Sequence, residues 1–458
     1  MIFQITSYVI PIFLIAFFIL LVLSRALFLK NWKTKKINIV ETENVDLHKQ
    51  RLFELIQIDT PSFTDGEGYR QFKEKIEEQF PLIHKFFKKE KLDGNAIYTY
   101  DSPVENAPNL LFATHIDYTG EERKAYIDED FIYGNGTFDS KSLLYVIFEA
   151  VERVLDKDGM LDVDLTLVVT NDDEANKEGL LKIIDLFLRR GKFFNLVIEE
   201  GSGIIDPEVY GMKSNYALVG LGVSGQTILR FESSNKTNLA RFVTEVTKPR
   251  FFKMKIDNKS IRVLGSIAKD LNFKDRFFLN NIFLFKRKAK NIIENKYDEI
   301  EKMLKTNVSA TPIVNENGKY YVDMTFELST HEKAADILVH LDDVMEKHKI
   351  DYKILSVTDN SRITRTYTYG YKLIKNAINH TFKNLYIAPV IVTKIAEKRY
   401  FDKVSDCVIR FSPLYYNYDA FNAAKENKSY IDAKVLNYGV EFFQYILKNY
   451  NQKRKTLN

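Results

Sequence analysis

Residues 165–178 read LTLVVTNDDEANKE, a short apolar run that leads into three consecutive acids, Asp172, Asp173 and Glu174. Apolar runs of this length, separated by longer amphipathic segments, indicate buried strands that alternate with helices. The same alternation extends over about residues 95–200. It predicts an α/β fold in which a mixed, largely parallel sheet is flanked by helices on both faces.

Two further apolar runs of this region end in side chains that can bind metal ions or protons. NLLFATHID closes on His115 and Asp117, and NLVIEE closes on Glu199 and Glu200. Ligands of open α/β sheets bind beyond the carboxyl ends of the strands. The three strand ends are therefore predicted to converge on one cleft.

A fourth acid, Asp139, lies in the glycine-containing turn IYGNGTFDSKS, just before a predicted helix. Several carboxylates in one cleft repel one another strongly unless a cation neutralises them. One histidine with several carboxylates suits zinc, manganese or cobalt. The two-residue spacing of His115 and Asp117 places both side chains on one face of a strand, where the acid can orient the imidazole. The pattern therefore predicts a metal site.

The composition excludes several other classes of protein. The 458 residues include 66 lysines and arginines against 62 acids, and this near balance argues against a nucleic-acid partner. Cys407 is the only cysteine, so neither an internal disulfide nor a cysteine-rich zinc site can form. Hydrophobic residues make up 45% of the chain, which excludes a disordered protein.

The N-terminus predicts a transmembrane helix over residues 1–23. Residues 2–23 carry no charge, and a helix of that length spans about 33 Å, enough for a hydrocarbon core of about 30 Å. Basic side chains follow this stretch and none precedes it. The positive-inside rule then predicts a single-pass membrane location with the globular part on the cytoplasmic side. Residues 24–46 are expected to form a basic linker.

The remaining sequence predicts one α/β domain in two parts with a second domain between them. Residues 47–216 and 358–458 are assigned to the α/β domain. The strand-like segments QTILRFESS and KYYVDMTFELS and the helical segment EKAADILVHLDDVMEKH predict an inserted α+β domain over residues 217–357.

These motifs resemble the aminoacylase and carboxypeptidase family of two-zinc metallopeptidases, which includes glutamate carboxypeptidase, desuccinylases, peptidase T and carnosinases. That family carries a strand ending in H-x-D, a G-R-G-x-x-D-x-K turn, an acidic D-E-E and then E-G or D-E-G. Here LLFATHID, YGNGTFDSK, TNDDEANKEG and IEEGSG occur in the same order. The resemblance covers about residues 47–455 and implies a zinc-peptidase-like catalytic domain with an inserted lid or dimerisation domain.

The resemblance also implies a role for each matched residue. The implied metal ligands are His115, Asp139, Glu174 and Glu200, with Glu199 as an alternative to Glu200. Asp117 would orient His115, and Asp173 would act as the general base. The implied cofactor is zinc, two ions, with one ion, manganese or cobalt as alternatives. The implied reaction is metal-assisted hydrolysis of an amide bond in a small peptide or an N-acyl amino acid.

Several departures from the family pattern keep a second hypothesis open. Asp173 replaces the usual glutamate, and Asn422 stands where the family places a histidine ligand. Neutral asparagine is a poor zinc ligand. The family's substrate-binding motif T-D-S-R is reduced here to AEKR, in which Arg399 remains and is expected to bind a substrate carboxylate. The alternative to a membrane-anchored hydrolase is a degenerate relative that binds a ligand or partner without hydrolysing it. The family also suggests a homodimer through the inserted domain.

Overall fold

The computed structural model describes residues 2–27, 37, 39, 40, 43–62, 66–138, 140–171, 178–201, 203–210, 214–256, 271–392 and 400–451. These residues divide into two compact units. The core unit comprises the described residues of Thr34–Val223, Ser361–Val392 and Ala396–Asn458. The insert unit comprises the described residues of Met1–Lys33 and Ser224–Asn360.

The strands, in chain order, are β1 (Lys88–Leu92), β2 (Asn95–Tyr100), β3 (Asn109–His115), β4 (Tyr126–Asp128), β5 (Phe131–Tyr133), β6 (Asp164–Thr170), β7 (Leu196–Glu199), β8 (Gly203–Ile205), β9 (Tyr216–Val223), β10 (Gln226–Ser233), β11 (Asn307–Ala310), β12 (Val314–Glu316), β13 (Lys319–Glu327), β14 (Asp351–Thr358), β15 (Tyr386–Val392), β16 (Val408–Arg410), β17 (Tyr415–Tyr416) and β18 (Tyr430–Asp432).

The α-helices, in chain order, are α1 (Ile2–Leu27), α2 (Val45–Ile56), α3 (Glu67–Gln79), α4 (Pro81–Phe86), α5 (Ser140–Asp158), α6 (Glu178–Arg189), α7 (Lys236–Val246), α8 (Phe273–Asn280), α9 (Ile282–Lys296), α10 (Asp298–Leu304), α11 (Ala334–His348), α12 (Tyr369–Thr381), α13 (Tyr418–Lys425) and α14 (Lys434–Asn449). Short 3₁₀ helices span Pro207–Tyr210 and Tyr400–Lys403.

The main sheet of the core unit has, within the described ranges, ten strands in the order β1-β2-β6-β3-β7-β16-β9-β8-β17, with β15 paired to β9. It is mixed. Strand β3 lies parallel to both β6 and β7, and β16 lies parallel to β7, whereas β2 runs antiparallel to β6. The predicted α/β fold with a mixed sheet flanked by helices is confirmed, although only part of the sheet is parallel.

Helices cover both faces of this sheet, and β3 shows why its sequence reads as an unbroken apolar run. Leu110 and Phe112 pack into the large core that also contains side chains of α5 and α14. Leu111 and Ala113 pack on the opposite face with side chains of α6. Successive side chains of a strand point to opposite faces, so a strand covered on both sides needs apolar residues at every position. Burying one such leucine stabilises the fold by roughly 1.5–3 kcal/mol.

The insert unit contains an antiparallel sheet in the order β11-β13-β10-β14, with β12 also paired to β13. Its core joins strand residues such as Phe231 and Phe326 to Phe242 of α7 and Leu341 of α11. A second small core involves α8, α9 and α10, including Leu279 and other apolar side chains. Antiparallel strands packed on helices give this unit an α+β character.

The N-terminal prediction requires correction. Within the described part of the chain, no helix is long and apolar enough to cross a membrane. The predicted transmembrane helix over 1–23 and the predicted single-pass membrane location with a cytoplasmic globular part are therefore wrong.

Other predicted boundaries remain predictions. The basic linker expected over 24–46 lies largely outside the described residues. The boundaries proposed at 47, 216, 357 and 458 also stay predictions.

Candidate metal centre

The predicted strand ends lie side by side at one edge of the main sheet. Strand β3 lies between β6 and β7, and the ladder pairs His115 with Thr170 and Ala113 with Glu199. Because the three strands are parallel, their carboxyl ends meet at the same edge. Asn171 follows β6 directly, and the ladder places the end of β6 beside His115. Residues 172–177 themselves lie outside the described residues.

His115 is held by two acids. Its Nδ1 atom lies 3.0 Å from the carbonyl oxygen of Asp117 and 3.1 Å from Oδ1 of the same residue. Its Nε2 atom lies 2.9 Å from Oε2 of Glu200. His115 and Asp117 are both buried. The ring is therefore oriented by Asp117 on one side and faces Glu200 with its other nitrogen.

Asp117 is itself oriented by the loop that follows α2. Ser62 Oγ donates a hydrogen bond of 2.6 Å to Asp117 Oδ2, and Thr60 Oγ1 donates one of 2.6 Å to the carbonyl oxygen of Ile116. All of these groups are buried or nearly so. Sequence reasoning did not assign a role to Ser62. The only signal that the sequence offers is a serine directly after Pro61, in the segment ELIQIDTPS that follows a predicted helix.

The donor set fits a bound cation. With Nδ1 donating to Asp117, a neutral imidazole presents an unprotonated Nε2 to the carboxylate of Glu200. Two acceptor atoms 2.9 Å apart repel each other unless a proton or a metal ion lies between them. An imidazole and a carboxylate are ordinary zinc ligands, and a carboxylate behind the histidine is the usual outer partner.

Glu199 has a different environment from Glu200. Its Oε1 lies 2.8 Å from Nε of Arg410, and both side chains are buried. Of the two neighbouring glutamates, Glu200 therefore contacts His115 while Glu199 forms an ion pair inside the sheet. Arg410 was missed by sequence reasoning, although a single arginine inside the apolar run CVIRFSP could have signalled it.

The turn that carries Asp139 is anchored on both sides, although residue 139 itself lies outside the described residues. Thr114 Oγ1 donates a hydrogen bond of 3.1 Å to the carbonyl oxygen of Ser140. The ring of Phe138 packs on those of Tyr416 and Phe421, with centroid distances of 4.4 and 6.0 Å. The turn is thus held next to the end of β3 and next to α13.

The side chain of Lys141 packs against the same turn. It is fully buried, and its Nζ donates a hydrogen bond of 2.6 Å to the carbonyl oxygen of Ile58. Burial lowers the pKa of Lys141 to about 7. Gly136 has φ +89°, and a Cβ atom there would lie 2.8 Å from Cγ of Lys141. The glycine in this turn is therefore required both by its backbone conformation and by the packing of the lysine.

Asn422, the position of the expected histidine ligand, is partly buried on α13. Its neighbour Phe421 contacts Phe138, so α13 packs against the turn that precedes Asp139. Other predicted site residues, namely Asp139, Asp173, Glu174 and Arg399, lie outside the described residues, and their roles remain predictions. Within the described ranges, no group of three or more histidines, cysteines or acids could hold a metal ion.

A histidine and carboxylates at adjoining strand ends of a mixed α/β sheet are the arrangement that the resemblance to metallopeptidases implies. Residues 111–449 match peptidase family M20/M25/M40, and the chain belongs to this family. The predicted family and the predicted enzyme class are confirmed. One solved structure that shares the fold, that of the Bacillus subtilis YXEP protein, is described as a dinuclear metal-binding peptidase of the M20 family, with a TM-score of 0.52, 10% identity and coverage of 88% and 98%.

The chain is similar to several known proteins over most of its length. It is 24% identical to the bovine N-fatty-acyl-amino acid synthase/hydrolase PM20D1, covering 89% of each chain. It is 21% identical to the probable carboxypeptidase S-like 2 of Dictyostelium discoideum, covering 98% of this chain and 94% of the relative. The structure of an M20 family metallo-carboxypeptidase from Sulfolobus solfataricus shares the fold, with a TM-score of 0.61, 15% identity and coverage of 88% and 99%.

Proposed function

We propose that this protein hydrolyses the amide bond of N-acyl amino acids or small peptides with bound metal ions. Two zinc ions are the first candidate, and one ion, manganese or cobalt are the alternatives. The contact between His115 Nε2 and Glu200 Oε2, backed by Asp117, carries the proposal. The bovine relative named as an N-fatty-acyl-amino acid synthase/hydrolase favours N-acyl amino acids as the substrate class.

The proposed metal ligands are His115, Asp139, Glu174 and Glu200. We leave Glu199 out of the set because its carboxylate is already engaged by Arg410. When bound, the metal ions would polarise the scissile carbonyl group and activate water as the nucleophile.

The remaining side chains would orient groups and move protons. Asp117 would hold the imidazole of His115 with Nε2 directed toward Glu200. Asp173 would accept a proton from the attacking water and return it to the leaving amine, as a general base and then a general acid. Arg399 would bind a substrate carboxylate through two parallel hydrogen bonds.

The decisive test of this proposal is the Asp173→Asn variant. Turnover of N-acyl amino acids and dipeptides should fall by about 10²–10⁴-fold, while metal content measured by elemental mass spectrometry stays unchanged. Asp185→Asn, on the exposed side of α6, is a matched control and should keep full activity. Full activity of Asp173→Asn would refute the base assignment, and absence of turnover in the wild-type protein would favour the binding-protein alternative.

That alternative rests on Asn422. A chain that lacks one ligand of a two-metal site would hold the second ion weakly. Binding of an N-acyl amino acid without hydrolysis by metal-loaded protein would support this second function.

We further propose that two copies of the chain associate through the insert unit. Strand β14 is an edge strand of its sheet within the described residues, and every one of its residues is exposed. Tyr352, Ile354, Leu355 and Val357 are each between 42% and 54% exposed. An exposed apolar edge strand is a template for pairing with another strand, and a second copy around a two-fold axis supplies the same surface.

A further inference from the structure

Arg410 occupies the centre of the main sheet. The ladder aligns it with Glu199 of β7 on one side and with Gly220 of β9 on the other. Its guanidinium is completely buried, with Nε 2.8 Å from Oε1 of Glu199 and Nη2 4.0 Å from Oδ1 of Asp402. A charged group is seldom placed this deep in a protein without a carboxylate partner.

Two glycines leave the space that this arginine needs. A Cβ atom on Gly220 would lie 2.8 Å from Cβ of Arg410, and one on Gly201 would lie 2.3 Å from its carbonyl carbon. Contacts this short are not tolerated, so any other residue at either position would displace the strand. The close approach at Gly201 brings the backbone of β16 directly against the residue that follows Glu200.

The backbone of β16 and the two residues after it also hold both neighbours of Glu200. The amide nitrogen of Phe411 donates a hydrogen bond of 3.0 Å to the carbonyl oxygen of Glu199. Ser412 Oγ accepts one of 3.3 Å from the amide nitrogen of Gly201. Together with the ion pair of Arg410, these contacts fix the chain immediately before and immediately after Glu200.

We propose that Arg410, Phe411 and Ser412, the 410–412 segment, position Glu200 for metal binding. The inference rests on the proposed function, in which Glu200 is a metal ligand. It gives Glu199 and Arg410 a role in the site although neither side chain faces His115. Glu199 serves as the anchor of the strand end, and Arg410 holds that anchor through their ion pair.

The physical need for such a segment follows from the chemistry of the ligand. A metal ligand must be held within about 0.5 Å of its productive position. Glutamate has three rotatable side-chain bonds, and the residue after Glu200 is a glycine, which has the largest conformational freedom of any residue. Without the 410–412 segment, the metal ion itself would have to order the backbone of Glu200 and its two neighbours.

The inference is tested by titrating dialysed full-length protein with Co²⁺ and following both calorimetric heat and visible absorption. Arg410→Met and Ser412→Ala should each weaken Co²⁺ binding by about 10–100-fold, as loss of an outer partner of a ligand does. Both should also change the absorption spectrum of the bound ion. Arg410→Lys, which keeps the charge but not the planar group, should recover part of the affinity.

The matched control is Arg51→Met. Arg51 Nη1 pairs with Oε2 of Glu149 at 2.6 Å in the same unit, and the Glu149 side chain is almost fully buried. This variant should lower the melting temperature while leaving the Co²⁺ dissociation constant and spectrum at their wild-type values. A general loss of stability is thereby separated from a loss of ligand positioning.

The outcomes are distinct. Unchanged Co²⁺ affinity and spectrum in folded Arg410→Met and Ser412→Ala would overturn the inference and leave the proposed function intact. If Arg410→Met does not fold, Ser412→Ala and Glu199→Gln decide the question by the same criterion. Failure of the wild-type protein to bind Co²⁺ would instead refute the proposed function, and the inference with it.

Discussion

His115 at the end of β3 and Glu200 just beyond β7 are in direct contact, with 2.9 Å between Nε2 and Oε2. The two residues come from different strands, and the parallel register of β3 and β7 brings them together. The other ring nitrogen of His115 is bonded to Asp117. One imidazole therefore links the two strand ends, and the predictions about metal binding depend on it.

Replacing Asp117 by asparagine should weaken Co²⁺ or Zn²⁺ binding by about 10–100-fold, because the carboxylate that orients His115 is lost. Ser62→Ala, which removes the hydrogen bond of 2.6 Å to Asp117 Oδ2, should have a smaller effect of the same sign. Calorimetric titration measures both. Asp128→Asn, an exposed acid of β4, is the control, and wild-type affinity in Asp117→Asn would contradict the assigned role.

Replacing Asn422 by histidine should increase the metal content of the protein toward two ions per chain. A neutral imidazole is a far better zinc ligand than an amide, and α13 already packs against the turn before Asp139 through Phe421. Elemental mass spectrometry after dialysis gives the stoichiometry. Lys425→His, at the exposed end of the same helix, should change nothing. Two tightly bound ions in the wild-type protein would contradict this prediction, because the site would then be complete without a histidine at position 422.

The stability of the core unit should fall as the pH is lowered from about 6.5 to about 4. His48 is fully buried, with Nδ1 2.7 Å from Tyr145 Oη and Nε2 2.9 Å from Nη2 of Arg153. Burial, and then the charge of Arg153, lowers the pKa of His48 to about 4. In the unfolded chain the pKa is about 6.5, so unfolding binds a proton within this window and becomes more favourable, by up to about 3 kcal/mol.

Urea unfolding at pH 7.5, 6.0 and 4.5 measures this dependence. His48→Gln should be less stable at neutral pH and should show a smaller loss of stability on acidification. His380→Gln, in which the ring packed at a tilt against Tyr445 is removed, should keep the wild-type dependence. Equal slopes in the wild type and His48→Gln would mean that another group governs the acid response.

A charge on the exposed edge of the insert unit should prevent self-association. In the variants Ile354→Lys and Val357→Lys, a desolvated ammonium group would oppose pairing of β14 with a second copy. Size-exclusion chromatography with light scattering should show a dimer for the wild type and a monomer for both variants. Val314→Lys on β12, a strand paired to β13 rather than β10, should remain dimeric. A monomeric wild-type protein would contradict the proposed association through β14.

Local patterns were sufficient to predict the strands that carry the candidate site. The runs NLLFATH and DLTLVVT are β3 and β6 in the structure, because apolar residues at every position suit a strand covered on both faces. The same reasoning failed for the N-terminus. The uncharged residues 2–23 predict a membrane helix, whereas no helix among the described residues could span a bilayer. In the structure Val22 is buried, and its carbonyl oxygen accepts a hydrogen bond of 3.1 Å from Asn281 Nδ2. A local window of sequence contains no information on a partner so far along the chain.

The chain order of the candidate site residues could be read from the residues alone. So could the position of His115 at the end of β3 and of Glu200 just after β7, because strand periodicity is a local property of the backbone. The sequence left open which of two adjacent glutamates meets the histidine. That choice depends on Arg410, a residue distant in the chain that reaches Glu199 only when β16 lies between β7 and β9. The guanidinium of Arg410 forms an ion pair with the carboxylate of Glu199, because a buried charge needs a nearby opposite charge. The carboxylate of Glu200 contacts His115 instead.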